Sequence, residues 1–264
     1  MSRVIPARRP RRRRGGQIRV ALLIVAVVAG LVAGAALWTR YRTDHRSAGP
    51  SPTWTAPTPT VPGSSPIPAG TPAGTGRFAD ARAALAALPV KGWDRTQDFK
   101  RYRFGKAWSD DVTVEFGHNG CNTRDDILRR DLAELVVRAG SCYAQTGILH
   151  DPYTGTTIRF VRGPDTSDGV EIDHLVSLAD AWYKGAREWD DQRRLDFAND
   201  PRNLLAVSPK ANFDKAFRDA ASWLPPNESF RCEFVARQVD IKTAYGLWVS
   251  AKEKQAMAAV LNKC

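Results

Sequence analysis

Residues 78–264 are predicted to form an α+β domain with a small antiparallel sheet, and three observations carry that prediction. Capped, helix-like stretches stand at both ends of the region, FADARAALAAL after residue 77 and two more from Glu228 to Asn262. Between them lie short apolar runs bounded by turn residues, the signature of brief strands. Paired prolines at 225 and 226 then separate the strand-bearing middle from the helical end.

Taken in order, the first helix is closed by Pro89. A second helix spans Asn122 to about Leu132, with Thr123 and Asp126 in the capping pattern. Leu135–Val137 and Cys142–Leu149 read as a hairpin turning at Gly140, and Thr156–Phe160 comes after the turn Asp151-Pro152-Tyr153-Thr154-Gly155 as a further strand. Val170–His174 is strand-like, and Leu204–Val207 is a second short apolar run. From Asn212 a helix is expected in which Phe213, Phe217, Ala220 and Leu224 form one apolar stripe. Asn212, Lys215 and Asp219 would then share another face, since residues three and four apart are neighbours on a helix. Glu228–Tyr245 closes at Gly246, and Ser250 with Glu253 makes a capping box for the last helix.

The N-terminal quarter is of another kind. Residues 1–19 contain ARRPRRRR, and Val20–Trp38 is an uncharged run of nineteen residues. Such a run is ~29 Å long as a helix, close to a bilayer core. A single transmembrane helix over 20–38 is therefore expected, with the arginines inside and everything after it outside. The rival is secretion after cleavage of a signal peptide near Ala33, Ala35 or Ala36. Residues 39–77 are rich in Pro, Thr and Ser and read as a disordered linker. The formal charge of +11 belongs to this part of the chain. Residues 1–46 hold eleven Arg and one Asp, which leaves 28 basic against 27 acidic residues beyond them. A basic whole chain is thus no argument for nucleic-acid binding by the domain.

All four cysteines fall outside the membrane in this topology, where disulfides persist. Cys232 near the start of one helix and Cys264 at the end of the next would meet across an antiparallel helix pair, leaving Cys121 for Cys142. The second bridge sets a condition. A helix unbroken from Asn122 to Ala139 would hold the two sulfurs ~25 Å apart, so it must end near Leu132 and the chain fold back.

The most informative stretch is 170–224, with Asp173-His174 in VEIDHLVSLADAW and Asn203 and Asn212 in NDPRNLLAVSPKANFDKAFRDAASWLPP. Strand with Asp-His, strand preceded by Asn, and helix carrying Asn resembles the ββα-metal core of HNH endonucleases. With GCNTRDDIL at 120–128 and DPYTG at 151–155, the chain is similar to extracytoplasmic actinobacterial HNH proteins, membrane-anchored or secreted. These are grouped with the C-terminal domain of GmrSD-type restriction enzymes, the DUF1524 group.

That resemblance implies metal-assisted hydrolysis of phosphodiester bonds in nucleic acid, DNA more than RNA. His174 is the expected base for water, with an ordinary pKa near ~6.5. Asn203 would brace its loop, and Lys215 would either contact substrate phosphate or solvate its helix. Asp173 and Asn212 are the expected metal ligands. Asn212 stands where many HNH proteins have His, and its amide oxygen favours Mg²⁺, or Mn²⁺, over Zn²⁺. One tension is visible: adjacent strand residues face opposite sides, so Asp173 and His174 share a cleft only if the strand ends or twists there. The other reading is a catalytically silent HNH-like module of the cell envelope. No protein partner is readable. The absence of PCxxC and GxSxG sets aside nucleobase deaminases and serine hydrolases.

Overall fold

The computed structural model describes residues 75–264. The transmembrane helix expected at 20–38 and nearly all of the linker expected at 39–77 lie outside the described residues. Among the described residues no helix is long and apolar enough to cross a membrane.

Helix α1 (Thr75–Ala87) opens the domain, and α2 (Thr123–Asp131) is capped by Asn122, whose side chain accepts from the Asp125 amide. Thr123, the expected cap, instead donates its hydroxyl to the Ser109 carbonyl. Strands β1 (Ala133–Val137), β2 (Ala144–His150) and β3 (Thr157–Val161) form an antiparallel sheet in that order. Gly147 of β2 lies where a Cβ would stand 2.9 Å from the Leu132 Cβ, so a side chain there would push apart sheet and helix end. The second sheet has two antiparallel strands, β4 (Glu171–His174) and β5 (Leu204–Val207). Between them in sequence run α3 (Leu178–Tyr183) and α4 (Asp191–Asn199). Helices α5 (Pro209–Lys215), α6 (Arg231–Tyr245) and α7 (Ala251–Leu261) complete the chain. The α+β class and the small antiparallel sheet are thus as expected.

Three apolar clusters hold these elements. Ile127, Leu128, Leu149 and Phe160 join α2 to the first sheet and reach Ile172 and Leu204 of the second. Phe234, Val239, Met257 and Leu261 pack α6 and α7 on α1 and under Leu205. Phe104, Trp182, Phe197 and Tyr245 fill the space between α3, α4 and α6. Beside them Lys184 and Lys242, both fully buried, meet Asp180, Asp219 and Glu253. This network ties α3, α6 and α7 to the turn after α5. Burial of so many charges is tolerable only because each is paired.

Both bridges are present. Cys121 joins Cys142 with Cα atoms 5.6 Å apart, and Cys232 joins Cys264 at 5.9 Å. Helix α2 ends at Asp131 and the chain turns into β1, which meets the condition set by the first bridge.

One expectation fails. The helix from Asn212 does not reach Leu224: α5 stops at Lys215, and Ala216 takes a left-handed φ of 49°. Residues beyond it leave the helix axis, so no single stripe exists. Ala220 is buried, but Phe213 and Phe217 are 83% and 57% exposed. Asp219 no longer shares a face with Asn212 and instead accepts from Lys184.

Candidate active site

Strands β4 and β5 and helix α5 make a compact ββα unit. Leu204–Val207 is buried throughout, which suits a strand covered on both faces. Register sets His174 opposite Leu204, Asp173 opposite Leu205 and Glu171 opposite Val207. Ser208 then passes directly into α5, which begins at Pro209, a residue suited to a first helical turn.

Strand β4 ends at His174, and Asn203 shapes the loop at Leu175 and Val176. Its carbonyl accepts from the Leu175 amide at 2.8 Å. Its side chain brackets Val176, accepting from the amide at 2.9 Å and donating to the carbonyl at 3.2 Å. Asn203 thus holds the backbone of the loop that follows β4, and the strand ends at His174. Asp173 and His174 border one cleft of ≈ 440 Å³, together with Glu171, Asn212, Arg101 and Phe213.

His174 is nearly buried, with Trp108 stacked on it at 6.0 Å. Its Nε2 lies 2.9 Å from the Ala198 carbonyl oxygen. A carbonyl only accepts, so Nε2 carries the proton and the neutral ring keeps its lone pair on Nδ1. Burial pushes the His174 pKa down to about 3, with smaller contributions from Arg101 and Lys215, and the Ala198 contact opposes them. The unperturbed value expected from sequence is therefore displaced downward, and the ring stays uncharged well into the acid range.

Asp173 is buried and heavily engaged. Its Oδ2 accepts from the Tyr153 hydroxyl at 2.5 Å, and Lys215 Nζ lies 3.0 Å from Oδ2 and 3.1 Å from Oδ1. Burial raises its pKa, against the lowering effects of Lys215 and Tyr153. Lys215 is 0% exposed and also donates to the His174 carbonyl at 2.7 Å. This corrects both roles considered for Lys215, phosphate contact and a solvated helix face. A wholly enclosed ammonium reaches neither solvent nor a substrate in this arrangement. It clamps α5 onto β4.

Asn212 donates its Nδ2 to Glu171 Oε2 at 2.7 Å. Glu171 was missed from sequence. The only signal was its i−2 relation to Asp173, which on a strand puts two carboxylates on one face. Arg101, Trp108 and Tyr153 were missed as well, since they come from segments far away in the chain. Arg124 has a structural task, donating to the Ser167 and Val170 carbonyls just before β4.

Among the described residues no three His, Cys, Asp or Glu side chains gather as a metal-ligating group. The donors on offer are the hydrogen-bonded Glu171–Asn212 pair, with one oxygen left on each, and the Asp173 carboxylate behind them. A carboxylate oxygen can accept more than one contact, so Asp173 can contribute while Lys215 and Tyr153 stay in place. Few hard oxygen donors beside an open cleft fit a cation that keeps several of its waters, as Mg²⁺ does.

A family model described as GmrSD restriction endonucleases, C-terminal domain, matches residues 122–260. This chain belongs to that family. The matched span of this GmrSD-type chain runs from α2 to α7 and contains the whole cleft wall made by β4, β5 and α5. An "Uncharacterized secreted protein" of Arthroderma benhamiae is 34% identical over 201 residues, which is 75% of this chain and 92% of that protein. No solved structure matches the chain. The GmrSD-type domain is accordingly nuclease-related.

Proposed function

We propose that this GmrSD-type domain is a metal-dependent HNH-type endonuclease that hydrolyses phosphodiester bonds of nucleic acid, DNA more than RNA, outside the cytoplasmic membrane. The observation that carries the reading is a neutral His174, Nε2 tied to a carbonyl, bordering the same cleft as the Glu171–Asn212 pair. Asp173 and Asn212, joined by Glu171, would hold a divalent cation, Mg²⁺ or Mn²⁺. Such an ion supplies charge neutralisation at the phosphate and at the leaving oxygen.

The chain's own residues do the rest. His174 accepts a proton from water at Nδ1, which has no hydrogen-bond partner among the described residues. A ring with a pKa of about 3 is a weak base in the free protein, but an anionic phosphodiester beside it favours the charged form and raises that value. Ala198 fixes the tautomer, and Trp108 covers one ring face. Asn203 sets the loop, while Lys215 opposes the burial that raises the Asp173 pKa and keeps the strand end fixed to α5.

Location outside the cytoplasm is supported by two disulfides and by the description of the fungal relative as secreted. A second reading, a catalytically silent envelope module, is favoured by one observation: both Asp173 oxygens are already in use. Plasmid nicking by the purified chain, with and without EDTA and with Mg²⁺ or Mn²⁺ restored, separates the two. Nicking that disappears with chelation supports the hydrolase. A folded chain that cuts neither DNA nor RNA with any divalent ion supports the silent module.

A further inference from the structure

Exposed aromatic side chains mark an interaction surface when they are contiguous, and here they collect beside the cleft. Phe213 and Phe217 are the two large apolar residues that the break at Ala216 leaves exposed. Both line the cleft of His174 and Asn212, as does Phe99. Phe99 and Phe217 also line a neighbouring groove of ≈ 510 Å³, with Trp93, Tyr183, Arg95 and Lys100. Shared walls make the two hollows one continuous strip leading away from His174. Along it Trp93 stacks on Tyr183 at 5.5 Å, and the Arg95 guanidinium lies 5.4 Å from the Trp93 ring centre.

The strip also carries cations: Arg101 lines the cleft, and Arg95 and Lys100 line the groove beyond it, with the carboxylates Asp98, Glu171 and Asp173 on the same walls. Residues 91–106 carry six basic and two acidic side chains, in a domain that is otherwise close to neutral. Of the two acids, Asp94 is paired with Arg187, and Asp98 lies in the groove wall. Arg95, Lys100 and Arg101 are exposed, and none of them forms an ion pair among the described residues. Aromatic faces interleaved with unpaired cations suit a nucleic-acid strand with free bases: rings stack on bases and cations meet the backbone. A duplex cannot use such rings, because its base faces are already stacked on one another.

We propose that the strip from Phe213 and Phe217 to Trp93 is a stacking platform for unpaired bases, so that the chain engages single-stranded nucleic acid next to His174. The proposal rests on the nuclease reading and names the substrate form of that same site. Phe213 and Phe217 take the bases nearest the cleft. Arg101, at the cleft itself, and Lys100 and Arg95 beyond it take the phosphates.

Fluorescence anisotropy in EDTA, where cleavage does not intervene, tests this with the purified full chain. The probes are a short oligothymidylate, the matching oligouridylate, the thymidylate annealed to its complement, and an abasic strand of the same length. The thymidylate strand is expected to bind roughly 10-fold or more tighter than the duplex and the abasic strand. The uridylate strand, which lacks the thymine methyl and carries 2′-hydroxyls, should also bind more tightly than the duplex, because stacking uses the base face that both strands share. Phe213→Ala and Phe217→Ala should each weaken binding of the based strands by roughly 5- to 100-fold and leave abasic binding unchanged. Arg101→Gln should weaken every probe. The side chains of both phenylalanines are exposed, so their unfolding midpoints should stay at the wild-type value.

Equal affinity for single strand, duplex and abasic probe would overturn the proposal, as would phenylalanine variants that bind like wild type. So would absence of binding, or a concentration-dependent dimer that Phe213→Ala dissolves without touching strand affinity. A chain that binds through Phe213 and Phe217 yet cuts nothing refutes only the hydrolase reading. A chain that nicks DNA without base-dependent binding refutes only the platform.

Discussion

The Lys215 ammonium donates to the main-chain carbonyl of His174 at 2.7 Å, across the contact between α5 and β4. The same nitrogen is 3.0 Å from Asp173 Oδ2. One buried cation therefore fixes the distance between the strand end that carries the proposed base and the helix that carries Asn212.

Lys215→Met should cost about 3–5 kcal/mol, because it leaves the buried Asp173 carboxylate with Tyr153 alone. Urea unfolding monitored by circular dichroism measures this. Lys210→Ala on the same helix, where Lys210 pairs with Asp214 in solvent, serves as the control and should leave the midpoint unchanged. Equal effects of the two substitutions would show that Lys215 does not clamp the site.

The proposed roles in catalysis separate under metal titration. His174→Ala should keep the fold and lose ~10²–10⁴-fold in nicking rate, with no recovery at high Mn²⁺. Asp173→Ala, Asn212→Ala and Glu171→Gln should recover part of the rate as metal is raised, since they weaken binding of the ion rather than remove the base; Asp173→Ala should also lower stability, because it leaves the buried Lys215 without its carboxylate. Rescue of all four to the same extent would contradict the division.

Loss of the bridge between α6 and the end of the chain should be felt globally. Cys232→Ser with Cys264→Ser should lower stability by roughly 2–5 kcal/mol. Non-reducing peptide mapping of the wild type should recover Cys121 with Cys142 and Cys232 with Cys264. Cys121 found with either of the other two would break the proposed fold.

Acid should attack the buried charge network first. Burial alone would raise the Asp180 pKa, but Lys242 and Lys184 outweigh it and hold it below the ordinary 3.8. A carboxyl with a depressed folded-state pKa contributes stability that is present above its unfolded value and lost as pH falls through its folded value. Chemical unfolding from pH 5 downward should therefore show a steepening loss below the ordinary Asp range. Asp180→Asn should be less stable at neutral pH and decline less steeply in acid. Parallel curves for the two proteins would rule out this network as the acid-sensitive element.

The cysteine positions and helix lengths already required the chain to turn back after Leu132, because no continuous helix closes a disulfide between Cys121 and Cys142. The capping box at Ser250, the Gly246 stop and the two separate strands around Asp173 and Leu204 were legible for a local reason. Each depends on residues a few positions apart, and local backbone physics decides it. The order Asp-His, Asn, Asn likewise marked the family and the cleft wall.

What the sequence left undecided depended on distant partners. Periodicity placed Phe213 and Phe217 in the core, but the left-handed turn at Ala216 ended the helix and set both rings in solvent. Lys215 looked like a surface cation until burial closed over it beside Asp173. The protonation state of His174 was fixed by the Ala198 carbonyl and by Trp108 above the ring. A residue's own type sets which contacts it can make. Only the packing of remote segments decides which of them it does make, because burial changes the free energy of a charge or a ring far more than its neighbours in sequence do.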